Sequence, residues 1–200
     1  MVDRRQGWWG IGFAVMLLVA GGMVSIPTAD DPGATIVAFY SDHGAVVIAA
    51  QVVGALALAP FVMFASALAR RALPRTRAPR IVGATTLVVL TELATAVPPL
   101  VLALGTPTRS MAHTWTFVAD LTDAALFVAL GLFALATVPR RPDWVRWFGI
   151  AVSLMVFVRA VLSPLGSAAL DVVAPIAFIA YVVALGVLML REHPVEERTR

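Results

Sequence analysis

The sequence predicts an all-α, polytopic transmembrane bundle of six helices with both termini on the same side of the membrane, and three observations carry that expectation. Six apolar runs are each close to the ~20 residues a helix needs to cross a hydrocarbon core of about 30 Å. Apolar residues make up 60% of the 200 and charged residues only 14%, with a mean hydropathy of +0.89, too apolar a balance for a domain dissolved in water. The arginines, finally, collect in every second link between the runs.

The runs cover residues 8–26, 44–69, 81–104, 116–138, 147–165 and 168–190, one transmembrane domain over 1–200 that ends in a polar tail, 191–200. Runs this long read as helices, because a spanning strand would need about half the length and would alternate in polarity. Arg4 and Arg5 precede the first run as they would a signal peptide, but its apolar stretch exceeds the usual ~7–15 residues and no small-x-small cleavage site follows. It is expected to be retained as a span. In the first outer loop Asp31-Pro32 offers an N-cap and a first-turn proline, and Ile36, Phe39 and Tyr40 follow at helical spacing. A short helix lying at the outer interface is expected there, with Ser41 or Asp42 capping the second span. Ser163-Pro164-Leu165-Gly166 reads as a tight turn between the last two spans.

Thirteen of the fifteen arginines fall on one face: Arg4 and Arg5; Arg70, Arg71, Arg75, Arg77 and Arg80; Arg140, Arg141 and Arg146; Arg191, Arg198 and Arg200. The excess of positive charge marks that face as cytoplasmic, which places both termini inside a bacterial inner membrane. Trp8, Trp9, Trp144 and Trp147 then lie at the inner interface, where an indole is favoured, and the Arg70–Arg80 link meets anionic lipid headgroups. The basic balance is thus explained by the lipid bilayer as partner, and no nucleic-acid function is read from it. The chain has no Cys, which excludes disulfides and thiolate metal sites, and no Lys, which excludes Schiff-base chemistry and a Walker lysine. No cofactor motif is present.

A charge inside a bilayer costs several kcal/mol unless it is paired or hydrated, so each one asks for a reason. His113, Thr116, Asp120 and Asp123 share a face at the start of the fourth span, Asp120 about one turn and Asp123 about two turns below its outer end. Arg159 stands six residues before the outer end of the fifth span, about 9 Å deep, and an ion pair with Asp120 or Asp123 is expected. Gln51 and Asp171 fall near the same level. Glu92, eleven residues into the third span, sits near the midplane with Thr85, Thr95 and Pro99 on its face, a position suited to a proton relay or a cation-coupling carboxylate. Together Gln51, Asp120, Asp123, Arg159 and Asp171, with Glu92 beneath, are expected to line a polar pocket in the outward half. His43, His113 and Asp120 offer the donor types of a divalent-metal site with an open position, although their spacing follows no metal motif. Ala50, Gly54 and Ala57 form a small-residue stripe for close helix packing, as do Gly149 and Ser153.

Three segments also carry a resemblance: Phe39-Tyr40-Ser41-Asp42-His43-Gly44, Asp120-Leu121-Thr122-Asp123-Ala124-Ala125, and Arg141-Pro142-Asp143-Trp144-Val145-Arg146-Trp147-Phe148-Gly149. They resemble the entries to spans two, four and five in a group of uncharacterised actinobacterial six-helix integral membrane proteins. The resemblance implies the fold and brings no activity with it; the recurring polar residues would be Tyr40, Asp42, His43, Asp120 and Asp123.

Three kinds of function follow as expectations. The first is binding or transport of a small solute, ion or proton through the outward pocket. The second is a metal-assisted hydrolase at the outer leaflet using His43, His113 and Asp120. In the third, a non-catalytic scaffold or accessory subunit, the small-residue stripes bind a partner membrane protein or a second copy of the chain.

Overall fold

The computed structural model describes residues 4–72, 75–140, 142–163 and 170–191, and among these it has six α-helices and no strand. They are α1 (Gly7–Met23), α2 (Gly33–Arg71), α3 (Ala78–Leu104), α4 (Arg109–Thr137), α5 (Asp143–Leu162) and α6 (Val173–Arg191). All but α1 are long and apolar enough to cross a membrane; α1, with 17 residues, is apolar but shorter. Pro164–Gly166 of the expected tight turn, and the tail beyond Arg191, lie outside the described residues.

Local chemistry explains the helix ends. Thr108 caps α4 by accepting the Met111 amide, 3.3 Å away. Pro142 precedes α5, whose first turn carries Asp143 to complement the helix dipole, and α2 ends on Arg70 and Arg71 for the converse reason. Within the helices, where no water competes, Thr85, Thr116 and Thr137 turn their hydroxyls back onto the carbonyls of Ile81, Ala112 and Phe133, at 2.7, 2.9 and 2.8 Å.

The first outer helix differs from expectation. Ile36, Phe39 and Tyr40 do stand at helical spacing, but in the opening turns of α2 itself and not in a separate segment. Ser41 and Asp42 are therefore internal to α2 and cap nothing; the chain enters the helix through Pro32, whose carbonyl accepts the Thr35 and Ile36 amides. Residues 41–44 contain no proline, and the one glycine, Gly44, packs against the Ala103 backbone inside the helix, so the helix runs through.

Each helix packs on its neighbours in sequence and α1 closes on α6, so the six form a ring; α4 also touches α2 and α6 across it. The closest approaches use glycine. A Cβ on Gly186 would stand 2.8 Å from the Gly7 carbonyl oxygen, which brings the α6 and α1 backbones together. Gly149 seats the Tyr181 ring and Gly131 the Phe157 ring, while Ser153 donates across to the Gly131 carbonyl at 2.9 Å. The core toward the arginine-rich end is aromatic: Phe13 to Phe61 and Phe61 to Phe133 are both 4.9 Å between ring centres, and Phe133 to Phe178 is 6.2 Å.

The outside of the ring is as apolar as its core. Leu56, Leu90, Phe117, Leu121, Leu154, Val161 and Ile176 are all more than half exposed. Water-soluble monomers do not present such a surface, with contiguous apolar patches rarely beyond a few hundred Å². Lipid does accommodate it, and the apolar helices support a membrane location.

At 1.5 Å per residue α2, α3 and α4 are about 58, 40 and 44 Å long, whereas α1, α5 and α6 are each about 26–30 Å. The three long helices thus overhang the three short ones at the end away from the arginine-rich links. The overhang has its own core of Ile36, Tyr40, Val47, Leu102 and Ala112, against which Val24 and Ile26 of the α1–α2 loop and Trp115 pack.

Candidate functional site

Where α5 runs out beneath the overhang, its last turn carries Arg159, only 8% exposed although charged. The Arg159 Nη1 lies 2.5 Å from the Asp123 Oδ2 and its Nε 3.3 Å from the Asp171 Oδ1. The guanidinium carbon also stands 3.8 Å from the centre of the Phe127 ring, one helical turn along α4 from Asp123. The expected pair with the fourth span is present, through Asp123, and Asp171 just before α6 adds a second acid. Arg159 thus adds an ionic contact among α4, α5 and the segment leading into α6, which already pack on one another.

The pairing is by charge more than by aligned hydrogen bonds. Among the described residues, the buried Arg159 Nε and Nη1 and the Asp171 Oδ1 have no hydrogen-bond partner of good geometry. Asp123 and Asp171 keep 35% and 39% of their side-chain surface exposed, so the cluster is sealed on the arginine side and reachable on the carboxylate side.

Glu92 joins from α3. Its Oε1 lies 3.6 Å from the place a Cβ on Gly54 of α2 would occupy, so the small residue makes the room its carboxyl fills. It is close enough to Asp123 for the two charges to interact. Asp123 and Glu92 each stand 14 residues, about 21 Å, from the arginine-rich ends of their helices. Thr95 turns its hydroxyl to the Glu92 carbonyl at 2.7 Å and Thr85 turns to Ile81, so both are satisfied within their own helix.

Asp120 forms the outer rim. Its Oδ2 accepts the Ala29 amide at 3.0 Å, and Thr28 donates its own amide to Asp31 Oδ2 at 2.9 Å, a local turn that holds the loop over the cluster. The charge of Asp120 interacts with those of Asp30, Arg159 and Asp171. Gln51, half-buried one turn along α2 from Gly54, joins none of these contacts. Ala29, Phe127 and Gly54 are the contributors that side-chain chemistry in the sequence did not reveal. A backbone amide carries no residue signature, a phenylalanine in an apolar span looks like core, and Gly54 read only as part of a packing stripe.

The two histidines do not gather with Asp120. His43 is exposed, with its Nδ1 3.2 Å from the Phe39 carbonyl and its ring stacked on Phe39 at 4.9 Å, so it is occupied on its own helix. His113 is exposed on α4 and Asp120 turns to the loop. Among the described residues no three of His, Asp or Glu lie close enough to hold a metal ion. Tyr40 is 4% exposed and belongs to the core of the overhang, and Asp42 is exposed.

Beside one guanidinium, then, stand Asp123 and Asp171, with Asp120 at the rim and Glu92 against Asp123. Beneath Phe127 the core turns fully apolar through Phe61, Phe133 and Phe178. Set against family models, curated proteins and solved structures, the chain matches none of them.

Proposed function

We propose that this protein is a multi-pass membrane protein that binds, and passes on, a proton or other small cation through its carboxyl cluster. The reading rests on one observation: a series of four carboxyl groups, in which Asp123, Asp171 and Asp120 interact with Arg159 and Glu92 with Asp123, is accompanied by a single guanidinium. Anions held in excess in a low-dielectric setting attract protons or counter-ions. The carboxyls are strung from the rim at Asp120 through Asp123 to Glu92, not gathered on one point, which suits stepwise transfer of a proton better than a divalent ion. The partly exposed Asp123 and Asp171 give entry from the overhang side, and the aromatic core below holds the other side closed.

The positive-inside rule orients the bundle with its arginine-rich links and both termini in the cytoplasm and the overhang outside the inner membrane. Because the sequence has no cysteine, Ser25→Cys in the overhang and Arg75→Cys in a basic link each introduce a single label site. A membrane-impermeant thiol reagent on intact cells is expected to label the first and spare the second; the reverse pattern would turn the molecule over.

Function is tested in proteoliposomes carrying a pH-sensitive dye, with an imposed proton, Na⁺ or K⁺ gradient. Wild-type vesicles are expected to dissipate one of these gradients, and Glu92→Gln and Asp123→Asn to reduce the rate at least tenfold while eluting as folded protein. No flux from wild-type vesicles under any of the three gradients would sink the proposal. The scaffold reading then gains, with the cluster serving only to fasten helices.

A further inference from the structure

The loop between α1 and α2, residues 24–32, is anchored at both ends. Val24 and Ile26 pack on the core of the overhang, and Gly33 opens α2 so close to α4 that a Cβ on it would stand 3.0 Å from the Arg109 carbonyl oxygen. Between these anchors Thr28 to Asp31 form a β-turn: the Asp31 amide donates to the Thr28 carbonyl at 3.1 Å, and the Asp31 carboxylate accepts the Thr28 amide at 2.9 Å. The turn is complete in itself and leaves the Ala29 amide over. That amide donates to the Asp120 Oδ2 at 3.0 Å and so ties the turn to the rim of the carboxyl series.

We propose that the Thr28–Asp31 turn is a lid over the carboxyl series, latched to Asp120 through the Ala29 amide and released when a proton neutralises Asp120. A hydrogen bond to an ionised acceptor is about twice as strong as one between neutral groups, so the latch holds to the carboxylate and loosens from the acid. Asp120 is only partly buried, and a proton reaches it from the overhang side while the turn is closed. Among the described residues, the charged and titratable groups that face Asp120 are Asp123 of its own helix, Tyr40 of α2, Asp30 of the turn, Arg159 of α5 and Asp171 before α6. Asp30 repels Asp120 from the lid side, but the direct hydrogen bond from Ala29 outweighs the charge of the neighbouring residue. Opening the turn withdraws Asp30 and widens the approach to Asp123 and Asp171. The gating role rests on the cation reading above, whereas the latch itself is measured without any flux.

Because the sequence has no cysteine, Thr28→Cys carries a single nitroxide label at an exposed position of the turn and keeps the Thr28 amide. In the purified protein the ratio of mobile to immobile label is expected to rise about fivefold as the carboxylates are protonated, the difference between a charged and a neutral acceptor. Ala29 is the second residue of the turn, where proline is favoured, so Ala29→Pro keeps the turn and every carboxyl and deletes only the donor. The label is expected to be mobile at neutral and acid pH alike in Ala29→Pro and in Asp120→Ala. Asp120→Asn keeps an oxygen acceptor without the charge and is expected to lose the pH response; a response that persists there would place the sensor in Asp30 or Asp31 and overturn the proposal. Access is read by coupling an amine to Asp171 with a water-soluble carbodiimide and mapping the product by mass spectrometry. Coupling at one pH is expected to increase in Ala29→Pro by about the factor seen with the label. An immobile label in Ala29→Pro, or unchanged coupling, would also overturn the lid. The vesicle assay judges the cation reading separately: flux with an unresponsive label removes the lid and leaves that reading, and a responsive label without flux ends the gating role.

Discussion

Arg159→Met is expected to lower the unfolding free energy of the detergent-solubilised protein by about 2–3 kcal/mol. Removing one partner of a fully buried ion pair costs ~3–5 kcal/mol, because the other charge is left without compensation. Here the guanidinium is buried, but Asp123 and Asp171 keep more than a third of their surface, and water reaching them reduces the penalty. The loss of the Phe127 contact acts in the same direction, by about 0.5–1 kcal/mol. Reversible denaturation in mixed micelles measures the change, and an Arg159→Met protein as stable as wild type would show that the cluster contributes nothing to the fold. A second comparison separates fastening from function. Arg159→Met combined with Asp123→Asn and Asp171→Asn removes all three charges, and replacing a buried ionic group by neutral side chains is often harmless to stability. If the triple variant regains wild-type stability but carries no flux, the charges are present for chemistry. If it regains both, they are dispensable and the proposed function falls.

The depth of Arg159 could be read in advance because it needs only the positions of helix ends and a rise of 1.5 Å per residue. An arginine about nine ångströms into lipid has to be paired or hydrated, and Asp123 lay at the right level to pair with it. Asp171 was legible for the same reason, as a residue near the start of the last span. What the sequence could not supply was the angular position of each helix in the ring. Asp120 and Asp123 are three residues apart and share a helix face, yet one turns to a loop amide and the other to Arg159. That division depends on the local turn at Thr28–Asp31, whose signal is a backbone geometry and not a side-chain type. The histidines failed for a related reason. Equal depth brings two residues together only if their helices face each other, and His43 and His113 both look outward.

Length misled most at the second span, where α2 begins at Gly33 and not at residue 44. Hydropathy marks the part of a helix that sits in hydrocarbon, so the polar opening of α2 at Ser41-Asp42-His43 looked like a boundary. All three side chains are exposed while Ile36, Tyr40 and Val47 are buried, so the helix simply becomes amphipathic as it leaves the lipid. The overhang follows from that continuity, and with it the shelter over the carboxyl cluster.

Gly186→Val is expected to destabilise the bundle by more than the ~1–3 kcal/mol usual for overpacking, through a mechanism confined to one helix pair. The atom a side chain would meet is the Gly7 carbonyl oxygen, part of a backbone that no rotamer change can move aside. The contact is reciprocal, since a Cβ on Gly7 would run into the Gly186 carbonyl, so both glycines serve one approach. Helix propensity opposes the loss only weakly, because a side chain in place of glycine gains less than ~1 kcal/mol in a helix. Gly83→Val supplies the control: nothing lies within 4 Å of a Cβ at that position, and its melting temperature is expected to stay near wild type. Gly149→Ala should fall between, since the obstacle is the edge of the Tyr181 ring, at 2.7 Å, and a side chain can give where a backbone cannot. Thermal unfolding of the three variants side by side checks the order. Because α1 is held through α2 and α6, prying α6 away leaves α1 attached on one flank only, and cleavage by protease within α1 is expected to accompany the fall in stability. An unchanged melting temperature for Gly186→Val would mean that α1 does not close the ring through this contact.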